Sequence, residues 1–336
     1  MRFNIIIGNP PYQEMDGGGG VVESSLPLYN QFILDVMERN PNYITMIIPS
    51  RYMCGGKPSI DAFRNKIISC GKISKIITYQ RCWDVFPNVD IPGGVQYFLY
   101  DSTYNSLDVE VINKQSTDIK LKRQLNKYKY IDSFGKDQYM VLIDNRATSI
   151  VDKVVSMNEV YMDTSVLPRT PFGLESYFED SDEQTSNKCI KVHCSNNRVT
   201  YTSRNQITDS YNALDYYKII VGKVNVDRGG NTNSDKFGVV SQPKLINPGE
   251  VCTTTFLVLF KTKELAEAQH FIEYIKTRFA RFLAYVTLAG TSMSNRNYMF
   301  IPLLDFSKQW TDAELCNRYR LSTDEIDYIN STIKEY

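Results

Sequence analysis

Histidine is nearly absent: two occur in 336 residues. A Ser-His-Asp relay or a histidine-ligated hydrolytic metal has little to be built from. Net charge is absent too, since Lys+Arg and Asp+Glu both total 38. No global basic field therefore announces nucleic acid, although a basic cleft can coexist with acidic outer faces. No apolar run approaches the length needed to span a membrane, and no secretory leader is legible. The seven cysteines lack paired metal spacing. Cys189 and Cys194 bracket His193, yet no second Cys/His pair completes a zinc site. Reduced, buried thiols in a cytoplasmic setting are the expectation. Repeats and low-complexity tracts are also missing, apart from four glycines at 17–20 that lack phosphate-cradle spacing.

What is present is a soluble-type composition, with 42% hydrophobic and 23% charged residues. The length allows two domains with real cores. Residues 3–7, Phe-Asn-Ile-Ile-Ile, read as a buried parallel strand that runs through Gly8 into Asn9-Pro10-Pro11-Tyr12. In open parallel sheets ligands bind beyond the carboxyl ends of strands, where this tetrapeptide sits. Each proline fixes φ and removes a donor, so the turn presents acceptors in a stiff geometry. An ordinary turn is the plain alternative, but this tetrapeptide should arise by chance in roughly one chain per thousand of this length.

Alternation continues downstream. Leu28, Phe32, Ile33, Val36 and Met37 fall at helical spacing within 25–39, followed by a buried strand at 43–48 ending in Pro49-Ser50-Arg51-Tyr52. A helix at 63–68, a strand at Ile73–Tyr79, and a segment from Val85 to Val95 leading into a last strand at 96–100 complete the pattern. It predicts an α/β sheet. Further on, 188–192, 218–221 and 251–260 read as strands. A helix then carries Glu264, Ala268, Phe271, Tyr274, Ile275, Phe279 and Phe282, and a terminal amphipathic helix lies near 323–333.

Asn-Pro-Pro-Tyr after a strand, with this order of elements and with Phe300-Ile301-Pro302 and Trp310-Thr311-Asp312 near the end, resembles adenine-specific DNA methyltransferases of the combined restriction–modification type. The resemblance implies a partial Rossmann-like methyltransferase sheet in 1–112. A connecting segment at 113–170 and an α+β target-recognition domain with C-terminal helices in 171–336 would follow. It implies methyl transfer from S-adenosylmethionine to the 6-amino group of a flipped adenine in double-stranded DNA. Asn9 and Pro10 would accept the amino hydrogens, Pro11 would stiffen the turn, and Tyr12 would stack on the base. Phe86 would lie beside that base, with a core aromatic at a strand start as the alternative. Family members hold the donor on a Gly-rich loop after a first strand, and only eight residues precede Asn9 here. The segments 288–292 and 226–230 are the nearest substitutes, and neither offers a strand, two spaced glycines and an acid. The donor pocket is thus expected to be incomplete, calling for a complementing polypeptide. A non-catalytic DNA-recognition module is the second expectation. Cleavage residues would sit in a separate domain.

Arg228, Asn231, Arg296 and Asn297 lie in polar loops of the recognition half and are candidate DNA contacts. Arginine and asparagine are the side chains that pair bidentately with guanine and adenine edges. Such loops can equally be simple turns. The basic run 114–130 can contact phosphates or form a solvated connection. Tyr201, Tyr211, Tyr216 and Tyr217 can stack on bases or pack with exposed hydroxyls.

Overall fold

The computed structural model describes every residue except 1–2, 15–25, 56–57, 90, 92, 133–134, 226, 228–235 and 289. The chain divides into two compact units. One comprises Met1–Thr148 with Gly229–Asn231 and Val286–Gly290; the other holds Ser149–Arg228, Thr232–Tyr285 and Thr291–Tyr336.

The first unit is built on a six-stranded sheet. Its strands are β1 (Ile5–Gly8), β2 (Tyr43–Pro49), β3 (Ile73–Tyr79), β4 (Val95–Asp101), β5 (Asp108–Lys114) and β6 (Ile119–Gln124), in the order β1-β2-β4-β3-β5-β6. β1 is parallel to β2 and β3 to β5, while β4 is antiparallel to both its neighbours and β6 to β5. The carboxyl ends of β1, β2 and β3 therefore share one edge of the sheet. Helix α1 (Tyr29–Glu38) buries Tyr29, Asn30 and Ile33. α2 (Pro58–Ser69) buries Ile60, Phe63, Ile67 and Ile68. The buried face of β2, made by Ile44, Met46 and Ile48, follows the alternation of the strand.

Two expectations change here. β1 is parallel as expected, but it is an edge strand, and Ile5 and Ile7 are 59% and 75% exposed. The sheet also does not end near Tyr100. Residues 119–124, read as basic connection, form an edge strand whose alternate residues Lys120 and Lys122 face solvent. Lysines on an exposed edge discourage further pairing. A hairpin of β7 (Tyr128–Ile131) and β8 (Asp137–Met140) follows. The first compact unit runs to Thr148 and the second begins at Ser149.

The second unit includes most of α3 (Ala147–Val155) and two three-stranded sheets. β9 (Ile190–His193) pairs antiparallel with β10 (Val199–Thr202) and parallel with β13 (Glu250–Cys252). β11 (Tyr217–Gly222) lies between β12 (Lys244–Ile246) and β14 (Phe256–Thr262). Phe172, Leu174, Ile190, Val192, Ile220, Val251 and Val258 belong to a shared core. The strand expected at 251–260 is two, because Thr254 and Thr255 turn the chain between them, with Phe256 N donating to Thr253 O at 3.1 Å. The long helix is likewise two, α4 (Leu265–Lys276) and α5 (Arg278–Tyr285), with Thr277 extended between them. α4 packs on β14 through Phe271, stacked on Phe260 at 4.6 Å. The closing helices α6 (Asp312–Arg318) and α7 (Thr323–Thr332) each start with a capping box, Thr311 with Glu314 and Ser322 with Glu325.

Buried Lys218 holds the loops at one end of the β11 sheet. Its ammonium donates to the carbonyls of Ala213, Leu214, Tyr216 and Asn247 at 2.6–3.3 Å. Burial lowers it to about 8.

Candidate active site

The Asn9–Tyr12 turn leaves β1 at the shared edge. Gly8 pairs with Met46, so the turn begins beside the last residues of β2. It is fastened on its far side. The Tyr12 carbonyl accepts from Leu28 N at 3.2 Å, and Gln13–Glu14 pairs antiparallel with Leu26–Pro27, directly before α1. Pro10 is buried and Pro11 exposed. Asn9 is exposed, and its carboxamide makes no hydrogen bond to a described residue. An acceptor side chain beside a proline carbonyl is thus open to a ligand. Tyr12 is half-buried, and burial pushes its phenol up to about 12. Its hydroxyl has no partner among the described residues. The ring is held neutral and suits stacking rather than acid–base work.

Below this turn lies a polar layer that the motif alone does not reveal. Gln96 pairs with Ile48 across β2–β4, and its Nε2 donates to the Tyr52 hydroxyl at 2.6 Å. Tyr52 and Tyr29 both pack edge-on against Phe63, at 5.2 and 5.9 Å, so the starts of α1 and α2 converge on the end of β2. Burial pushes the Tyr29 phenol up to about 12, with the Arg51 guanidinium opposing the shift. Asn30 Oδ1, Ser50 Oγ and Gln96 Oε1 are buried without a partner. Buried orphans are few in native proteins, and each calls for a water or a ligand. The only sequence cue to this layer was its place: polar residues at a strand's carboxyl end and a helix's first turn.

A buried ion pair braces the layer. Arg64 and Asp61 meet at 2.6 Å with almost no exposure. Arg64 also donates to the Tyr52 carbonyl at 2.8 Å and to the Tyr130 hydroxyl at 2.9 Å.

Phe86 reaches the same edge by another route. The loop from Gln80 to Gly94 joins the end of β3 to the start of β4, where Tyr79 and Pro49 both pair with Val95. Phe86 is half-buried on this loop, not at a strand start, and its N donates to the Cys82 carbonyl at 2.8 Å. Cys82 staples the loop: its Sγ donates to Val89 O at 2.9 Å and accepts from Ile91 N at 3.2 Å. Gly94 closes it at φ +76°, where an added Cβ would stand 2.1 Å from the Tyr79 carbonyl. Asn9, Pro10, Pro11, Tyr12 and Phe86 thus lie along one sheet edge.

Arg228 and Asn231 lie outside the described residues. Arg296 and Asn297 belong to the second unit. Asn297 is buried, and its Oδ1 accepts from Ser294 N at 2.8 Å in a capping box. Its Oδ1 thus serves the backbone. His193, bracketed by Cys189 and Cys194, is instead bonded to Glu250 at 2.8 Å. Burial lowers the His193 pKa, with the Glu250 carboxylate opposing.

Gly8, the glycine nearest the turn, meets only Met46 Cε at 3.9 Å if given a Cβ, so no close backbone approach depends on it. Among the described residues no strand leads into spaced glycines and an acid. Of the two substitute segments, 226, 228–230 and 289 lie outside the described residues. The described residues supply no glycine cradle for a methyl donor.

Comparison with known proteins agrees with the resemblance at the N-terminus. The chain is 33% identical over 104 residues to an uncharacterized adenine-specific methylase of Mycoplasma pneumoniae, spanning 31% of this chain and 25% of that protein. It therefore matches a quarter of that relative's length. Among solved structures, the modification subunit of a putative type I restriction enzyme from Vibrio vulnificus aligns over 44% of this chain and 39% of its own, at 10% identity and TM-score 0.30. The type IIL restriction-modification enzyme MmeI in complex with DNA aligns over 88% and 46%, at 10% identity and TM-score 0.43. Scores of this size carry no argument about this chain. The sequence match is local: residues 1–86, a span that includes Asn9–Tyr12 and Phe86, match the family of Eco57I restriction-modification methylases.

Proposed function

We propose that this chain carries the base-handling turn and the target-recognition part of an adenine-specific DNA methyltransferase in a restriction–modification system. The observation that carries the reading is Asn9: an exposed, unengaged carboxamide at the carboxyl end of a parallel strand, followed by a buried proline and a half-buried tyrosine. The 6-amino nitrogen of adenine is a poor nucleophile because its lone pair is delocalised into the ring. Asn9 Oδ1 and the Pro10 carbonyl would accept its two hydrogens and localise that pair. Tyr12 and Phe86 would enclose the ring. Extruding the base costs a few kcal/mol, and aromatic stacking returns about 1–3 kcal/mol per base. Residues beyond 171 would select the DNA site.

S-adenosylmethionine is the donor that this chemistry calls for. Its pocket would be completed by a segment whose strand pairs with the outer edge of β1, where Ile5 and Ile7 stand exposed. A second reading, sequence-specific DNA recognition without chemistry, is favoured by the lack of a glycine cradle among the described residues.

Selection from a randomised duplex pool tests both. A methyltransferase part enriches a site containing an adenine, and a mismatch opposite that adenine tightens binding, because the cost of unpairing falls. Asn9→Ala would remove discrimination between adenine and other bases at that position. Binding that ignores both changes fits the recognition module. No enriched site at all contradicts both readings.

A further inference from the structure

We infer that Trp83 is a second stacking group of the site, placed to take a nucleobase flanking the flipped adenine; the inference rests on the base-handling reading above. The loop from Gln80 to Gly94 mixes polar residues with apolar ones that stand at the rim of the sheet edge. Within seven residues it carries Trp83, Phe86 and Val89, with Trp83 36% and Val89 49% exposed and Phe86 half-buried. A buried tryptophan contributes more apolar area than almost any other side chain. Trp83 and Val89 leave apolar surface open on a well-fastened loop, where a stacking partner would cover it.

The loop is well fastened. Cys82 is buried and bonded twice through sulfur, and the Val85 and Phe86 amides both donate to the Cys82 carbonyl, at 3.0 and 2.8 Å. Trp83 thus sits between anchored residues and faces out by construction. Its surroundings favour a nucleic acid over an apolar protein surface. The loop is entered from β3 through exposed Arg81, and the neighbouring end of β2 carries Arg51. Both guanidiniums share the sheet edge with Asn9 and Phe86, a placement suited to phosphates on either side of an extruded base. Indole is the largest aromatic face available for stacking, and such stacking tolerates any base.

Trp83 and Trp310 are the two tryptophans of the chain, so fluorescence reports the contact directly. In a Trp310→Phe background, the duplex enriched by selection should quench and shift Trp83 emission, saturating with binding. Trp83→Ala should weaken that duplex roughly 5- to 100-fold, the gain of stacking one base, while Trp83→Phe keeps most of the affinity. The position is exposed enough for both variants to fold, and circular dichroism checks this. Unchanged emission at saturating duplex, or an alanine variant that binds as tightly as the parent, overturns the inference and leaves the base-handling reading standing. A parent protein that binds no duplex overturns both.

Discussion

Gly94 is where the site's two halves are held together, and its replacement by alanine gives the sharpest test of that geometry. Two separate costs arise. At φ +76° an L-residue pays for the left-handed conformation, about 1–2 kcal/mol. The new Cβ would also lie 2.1 Å from the Tyr79 carbonyl and 2.7 Å from that of Gln80, both main-chain atoms. One strand must move by about an ångström to restore van der Waals contact. That shift stretches two bonds made by Gly94 itself, Ser50 N to Gly94 O and Gly94 N to Ile91 O, both 3.0 Å. At about 1 kcal/mol for each backbone bond, the total is about 3–4 kcal/mol. Gly249 provides the control: its φ is +81°, but an added Cβ meets nothing within 4 Å. Gly249→Ala should cost only the conformational part. Urea unfolding compares the two, and hydrogen exchange of the Val95–Asp101 amides localises the effect. Equal destabilisation by both substitutions would refute the claim that the loop is closed by contact with the end of β3.

Other perturbations read other parts of the account. Asp61→Asn strands the buried Arg64 guanidinium and should cost about 3–5 kcal/mol, with Asp61→Leu/Arg64→Met recovering much of it in thermal melts. Ser50→Ala removes a buried hydroxyl that lacks a partner, so the free protein should be as stable or up to about 1 kcal/mol more stable; a loss above that would show that a water already satisfies it. Lys218 sets a pH dependence. Its folded value, about 8, lies below the ordinary 10.5, so across that window the unfolded chain binds more protons and stability rises with pH. Lys218→Met loses four carbonyl bonds and should be less stable throughout, but without that rise; parallel slopes in urea titrations at several pH values would contradict the assignment.

Much of the first unit was legible because its cues are local. The strand at Ile73–Tyr79 is bounded as the residue pattern predicts, and the first helix follows its apolar spacing. The capping boxes at Thr311 and Ser322 show why the last helices begin where they do. The misses share a different cause. β6 alternates Ile119, Leu121 and Arg123 with lysine and glutamine, so its half-buried face is masked by charge; Arg123 lies on the inner side, donating to Asn145 Oδ1 at 3.1 Å and to the Leu142 carbonyl. The breaks at Thr253–Thr255 and at Thr277 carry neither proline nor glycine to mark them. At the site, Asn-Pro-Pro-Tyr could be read because its chemistry is contiguous. The layer of Asn30, Ser50 and Gln96 could not, since it is assembled from three elements far apart in sequence. Asn297 shows another limit: its Oδ1 accepts from Ser294 N in a capping box, a local role that residue type alone does not signal.

The central claim is that the Asn9–Tyr12 turn receives an extruded adenine. Substituting 2-aminopurine for the target adenine in the selected duplex tests it most directly, because this base brightens when it leaves the stack. A several-fold rise in emission on saturation, with Tyr12→Ala and Asn9→Ala each changing its size, is the predicted result. Emission that stays at the level of free duplex, with the duplex fully bound, would contradict the account.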